Sequence, residues 1–156
     1  MLLIIGYGNS LWRDDGAGLA LAERLESLCR ARGLPVERLE LHQLLPELAP
    51  EIARPEVTAV IFVDTRLAVP DDPAPALDLS PVEADPTSPS VGHHLDPAAL
   101  LLYADHLYGH RPPAWRLTIP GVDFDHGEGF SPRTARLLAG AEAVLVRVVD
   151  ATAPKG

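Results

Sequence analysis

Disulfides have no place in this chain, because its 156 residues include one cysteine, Cys29. That usage fits a reducing cytoplasm. Basic residues are also scarce: 13 Lys and Arg stand against 22 Asp and Glu, a formal net charge of −9. Such a balance speaks against nucleic acid, whose phosphates draw basic surfaces, and against anionic membranes. Small molecules, cations and basic protein segments remain as partners. No apolar run approaches the roughly 20 residues that span a bilayer, so no membrane insertion is expected. The apolar start is short and lacks a basic leader, which reads as a strand rather than a signal peptide. Common catalytic templates are missing too. There is no Gly-x-Ser-x-Gly elbow and no His-Glu-x-x-His, and Cys29 sits among apolar residues of a helical pattern, as a core residue rather than a nucleophile. Asp123-Phe-Asp125-His126-Gly127-Glu128 begins like a calcium loop, but its sixth place holds Glu128 and its twelfth Thr134, where glycine and glutamate are needed. This loop reads as a solvated acidic turn or, more sharply, a substrate contact.

What is present concentrates at the start, in Met1-Leu-Leu-Ile-Ile-Gly6-Tyr-Gly8-Asn9-Ser-Leu-Trp-Arg-Asp14-Asp15-Gly16-Ala-Gly18. Leu2 to Ile5 do not alternate, as suits a strand buried on both faces of a parallel sheet. A glycine turn follows and delivers two carboxylates to the head of a helix carrying Ala17, Leu21, Leu25 and Leu28, which Asp14 or Asp15 would cap. A dinucleotide is the usual ligand of such a turn, but the third glycine of Gly-x-Gly-x-x-Gly is replaced by Leu11. Asp14 and Asp15 also put anions where a pyrophosphate would lie. No nucleotide cofactor is expected.

Strand and helix patterns alternate onward. The first helix stops at Gly33. A second strand spans Val36 to Leu41, and Pro46 opens a short helix. Thr58 to Val63 is a strand ending on Asp64, and Ala76 to Glu83 an edge strand. Asp96-Pro97 starts a helix that buries Ala98, Leu101, Leu102, Ala104 and Leu107, with His106 and His110 one turn apart on its solvated end. Trp115 to Ile119 is a strand, and Ser131-Pro132 starts a last helix with Leu137, Leu138, Ala141, Val144, Leu145 and Val148 inward. The class is α/β with a mostly parallel sheet, in one domain over 1–150 with a flexible tail at 151–156. Ligands of such sheets bind outside the carboxyl ends of the strands. Asp15, Asp64 and His93 of Gly92-His93-His94-Leu95 all fall on that edge, with His94 as the alternative to His93. Two carboxylates and an imidazole suit a divalent cation; singly, each residue reads as a cap, a turn former or a loop histidine.

The opening motif resembles the signature of the nickel–iron hydrogenase maturation endopeptidases. The likeness continues through Asp64, His93-His94-Leu95, Pro120-Gly121-Val122 and Gly129-Phe130-Ser131-Pro132. It implies a three-layer α/β/α sandwich with a sheet of about five strands, one of them antiparallel. It also implies an aspartyl-type, metal-dependent endopeptidase that removes a C-terminal peptide from the nickel-loaded large-subunit precursor of a hydrogenase. The family pattern assigns nickel contact to Asp15, Asp64 and His93, the nickel coming with the substrate. Substrate contacts are expected at His42, Glu47, His94 and Asp123. The His42-Gln43-Leu44-Leu45-Pro46-Glu47-Leu48 segment resembles the branch that serves soluble bidirectional hydrogenases. A cytoplasmic monomer is expected. The alternatives are a non-catalytic module that recognises metal or precursor, and a nucleotide- or phosphate-binding domain.

Overall fold

Strand and helix alternate along the chain as the apolar periodicities require. The computed structural model describes residues 1–69, 71–72, 76–84 and 95–152; His93 and His94 lie outside the described residues. The elements are β1 (Leu2–Tyr7), α1 (Ala17–Ala31), β2 (Val36–Leu41), α2 (Leu48–Ile52), β3 (Ala59–Leu67), β4 (Asp78–Val82), α3 (Pro97–Tyr108), β5 (Ala114–Gly121), α4 (Pro132–Ala139) and α5 (Glu142–Thr152). A 3-10 turn, Arg13–Gly16, precedes α1. The five strands are ordered β2-β1-β3-β5-β4. All pairs are parallel except β4 with β5. The sandwich and the antiparallel strand are as the resemblance implies.

Each face of the sheet carries its own core. Leu2, Ile4, Ile61, Val63, Leu117 and Ile119 pack with Leu21, Leu25 and Cys29 of α1 and with Leu145 and Val148 of α5. Leu3, Ile5, Val60 and Phe62 pack with Ile52 of α2 and Leu100 and Ala104 of α3. Because α1 and α2 lie on opposite faces, the chain leaves β1 on one side of the sheet and enters β3 on the other. The switch point therefore lies between β1 and β3, where α/β folds open a ligand crevice. The register locates that opening. β1 pairs with β3 only as far as Gly6 opposite Val63, whereas β3 stays paired with β5 from Val60 to Leu67. Tyr7 and Asp64 are the first residues past the split.

Several boundaries differ from the sequence reading, each for a local reason. β3 does not end at Asp64; pairing with β5 carries it to Leu67. Neither Asp14 nor Asp15 caps α1: Gly16 holds that place with no side-chain bond, because both carboxylates are engaged elsewhere. Pro46 lies in the turn before α2, which begins at Leu48. α3 ends at Tyr108, where Gly109 turns left-handed at φ 73°. His110 is thus off the helix, with Nε2 3.0 Å from the Val57 carbonyl oxygen. Leu107 is 69% exposed, and fully buried Leu100 occupies the inward face instead. The last helical stretch is two helices, divided at Gly140. α5 takes in Ala151 and Thr152 of the expected tail; the buried Thr152 hydroxyl donates to the Val148 carbonyl at 2.7 Å. Among the described residues no helix is long and apolar enough to cross a membrane.

Candidate active site

The glycine turn after β1 folds back on itself and fixes Asp15. The Asn9 amide donates to Asp15 Oδ2 at 2.8 Å, and the Leu11 amide donates to Asn9 Oδ1 at 2.9 Å. Gly8 stands at φ 148°, and a Cβ there would lie 2.4 Å from the Asp15 carbonyl oxygen. One turn later Gly18 lets α1 rest on β3, since a Cβ there would come within 2.8 Å of the Asp64 backbone. Thr65 completes the junction: its hydroxyl accepts from the Gly18 amide at 2.9 Å and donates to the Asp15 carbonyl at 3.3 Å. The amides that a phosphate would need, those of Asn9 and Gly18, are thereby spent inside the protein.

Asp14 does different work from its neighbour. It is fully buried. Its Oδ2 accepts from the amides of Val122 and Asp123 at 2.8 and 2.9 Å, and its Oδ1 from the Ser131 amide at 2.7 Å. The hydroxyls of Ser131 and Thr134 add bonds of 2.7 and 3.0 Å to Oδ2. Burial alone would raise its pKa, but the hydrogen bonds from Asp123, Ser131 and Val122 outweigh it and hold the carboxyl below its ordinary value. Asp14 thus fastens the 121–131 loop to the N-terminal turn. The loop is not a free acidic turn. Arg13 takes a bond at 3.0 Å to the Gly127 carbonyl, and the Gly127 amide donates to Leu11 at 2.7 Å. Trp12 meets His126 edge-to-face at 5.4 Å.

Asp64 projects from β3 on the α2/α3 face. Its Oδ1 accepts from the Thr65 amide at 2.8 Å and its Oδ2 from Arg116 Nη2 of β5 at 3.1 Å. Burial raises its pKa, with Arg116 opposing and the Asp15 charge adding to the rise. Tyr7 at the end of β1 is pushed up by burial and then by the charge of Asp64, so its phenol keeps its proton. Tyr7, Asp15, His42, Leu44, Asp64 and Leu95 line one cleft of about 170 Å3 at the switch point. Leu95 directly follows His94 in sequence. A neighbouring groove of about 380 Å3 shares Gly8 and His42 and runs along Ser10, Leu19 and Phe130.

The structure thus brings together Asp15, Asp64 and His42 of the expected residues. Glu47 is exposed in the turn before α2 and is not part of the cleft lining. Asp123 is occupied locally, its Oδ1 accepting from the Asp125 amide at 3.0 Å and its Oδ2 lying 3.7 Å from Arg13. Among the described residues no group of three or more His, Cys, Asp or Glu is arranged to hold a metal ion; two carboxylates are what they supply. Sequence reading missed Tyr7 and Arg116, and gave Asp14 the role of a helix cap rather than an anchor for the 121–131 loop. A charge inside the Trp115–Ile119 strand was the available signal for Arg116. Nothing local distinguishes Asp14 from Asp15.

No protein-family model matches the sequence, nor does any curated protein. Solved structures do match in shape. The hydrogenase maturating endopeptidase HybD from E. coli superposes with a TM-score of 0.66 at 20% identity, covering 96% of this chain and 92% of that one. The chain has the hydrogenase-maturation endopeptidase fold. The [NiFe] hydrogenase maturation protease HycI from Thermococcus kodakarensis matches with a TM-score of 0.62 at 17% identity, over 96% of this chain and 90% of that one. A hydrogenase 2 maturation peptidase from a Thaumarchaeota archaeon gives 0.58 at 18% identity, over 96% of both chains. The maturation-peptidase fold is therefore shared over 96% of the chain.

Proposed function

We propose that this protein is an endopeptidase that removes a C-terminal peptide from the nickel-loaded large-subunit precursor of a nickel–iron hydrogenase. The observation that carries this reading is the convergence of Asp15 and Asp64 on one cleft at the switch point of a maturation-peptidase fold. Among the described residues Asp15 Oδ1 takes no hydrogen bond, and Asp64 presents a carboxylate braced from two sides. Both are hard oxygen donors suited to a divalent cation. His93 is the third donor in this reading. The nickel is part of the substrate, and it supplies Lewis acidity that polarises a scissile carbonyl or activates a water. The chain's own part is to orient the metal-bearing terminus: the glycine turn fixes Asp15, Arg116 fixes Asp64, and the groove beside Gly8 and His42 receives the flanking peptide. A cytoplasmic monomer of one domain goes with this function.

The nucleotide alternative is disfavoured, because the Asn9 and Gly18 amides are already bonded to Asp15 and Thr65. The deciding experiment incubates the protein with nickel-loaded and nickel-free precursor and reads intact mass. The expected result is shortening of the loaded precursor alone. Binding of the loaded precursor without shortening would replace the enzyme with a recognition module.

A further inference from the structure

Among the described residues Arg116 is the cation paired with a cleft carboxylate, and its seating is unusual. Its Nη2 donates a single bond to Asp64 Oδ2 at 3.1 Å. A guanidinium normally grips a carboxylate through two parallel bonds. Here Oδ1 is taken by the Thr65 amide, and Arg116 Nε is buried with no hydrogen-bond partner among the described residues. The arginine side chain is 41% exposed, whereas that of Asp64 is 16% exposed. The head group is therefore held at the carboxylate by charge and one hydrogen bond, with the Tyr7 phenol beside it and a way out to solvent.

We propose that Arg116 is a placeholder cation: it occupies Asp64 in the free protein and keeps free divalent ions out of the cleft. This rests on the reading of Asp64 as a contact of the precursor's nickel. Asp15 and Asp64 bring two negative charges to one small cleft, and a lone divalent ion would be drawn to them. The guanidinium offsets one of those charges and occupies the Asp64 oxygen that faces β5. A free ion must displace it with the chain's own donors and no ligand from a partner. A nickel ion held by the precursor's own ligands arrives with peptide contacts that help to drive the exchange, and Arg116 can withdraw along its exposed side. The device makes the site respond to a metal-loaded partner rather than to free metal.

The test is calorimetric titration of the free full-length chain with nickel chloride. Arg116→Met is expected to bind nickel at least tenfold more tightly than wild type. Arg116→Lys, which keeps the charge, should stay within about threefold of wild type, that spread being ordinary context dependence. Adding Asp64→Asn to Arg116→Met should erase the gain. Circular dichroism melting checks folding, and Arg116→Gln, which keeps a donor for Asp64, takes the place of a methionine variant that does not fold. Unchanged affinity in the folded neutral variant overturns the proposal, as does a gain that survives Asp64→Asn. No precursor enters the titration, so failure to shorten precursor counts against the endopeptidase reading alone.

Discussion

At the scale of single residues, the two adjacent aspartates of the opening motif separate cleanly by their partners. Among the described residues nothing bonds Asp15 Oδ1 at the cleft, while Asp14 spends its lone pairs on donors from the 121–134 stretch. Substitution should separate them in the same way. Asp15→Asn and Asp64→Asn are expected to lower precursor processing by at least about 100-fold, since asparagine keeps the shape but not the charge a cation needs. Burial already disfavours the ionised form of Asp64, so Asp64→Asn should melt no lower than wild type. A processing assay by intact mass and a thermal melt on the same preparation check both halves. His93→Ala should match the two aspartate variants and His94→Ala should be milder; the reverse order moves the third donor by one residue. Cys29 provides the contrast. It is fully buried in the α1 core, and burial pushes its thiol up, away from the thiolate a nucleophile requires. Cys29→Ser should cost about 1–2 kcal/mol of stability for the buried hydroxyl and leave processing unchanged. Inhibition of the wild type by thiol reagents at the rate of processing loss would contradict this.

At the scale of elements, the decisive contact is the crossing of α1 over β3. Gly18 meets the Asp64 backbone there, and backbone atoms cannot swing aside as a flexible side chain can. Gly18→Ala should therefore destabilise by about 2 kcal/mol and also lower processing, because the displaced helix carries Asp15 away from Asp64. A melting curve unchanged from wild type would show that the crossing has slack. This junction also explains what the sequence made legible. The strand order of motifs, the two aspartates at the crevice and the capping residues Asp96 and Ser131, confirmed by bonds of 2.8 and 3.3 Å to Ala99 and Thr134, were all readable because local periodicity and cap chemistry determine them. Long-range partners were not. β3 overran Asp64 because β5 keeps pairing with it, a fact that no window around Asp64 contains. Leu107 fell on the apolar stripe of its helix yet faces solvent, since α3 ends at Tyr108 before any neighbour covers it. Arg116 shows its partner Asp64 only when β5 is set beside β3.

At the scale of the whole molecule, the first turn and the last third of the chain are tied through one buried carboxylate. Asp14 accepts bonds from Val122, Asp123, Ser131 and Thr134, partners 108 to 120 residues away in sequence. Those bonds aim the loop that Arg13 and Trp12 also grip, and they brace the turn that presents Asp15. The pH dependence follows from the direction of the shift. The folded-state pKa of Asp14 lies below the ordinary 3.8, so the folded protein gives up this proton more readily than the unfolded chain does. The stabilisation is complete above the unfolded value and is lost as pH falls through the folded one. Glu26, lowered by its hydrogen bond to Arg38, contributes in the same direction, so acid melting of the wild type alone would not isolate Asp14. Comparison with Asp14→Asn does. Asparagine offers one acceptor oxygen and places an NH2 against donors, so the variant should be less stable by about 3 kcal/mol at neutral pH. As pH falls from the ordinary 3.8 through the lower folded-state value, the wild type should lose stability more steeply than the variant, the two curves converging as Asp14 protonates. Denaturant titrations at each pH give the comparison directly. Parallel curves would mean that the loop and the turn are held together by something other than this carboxylate.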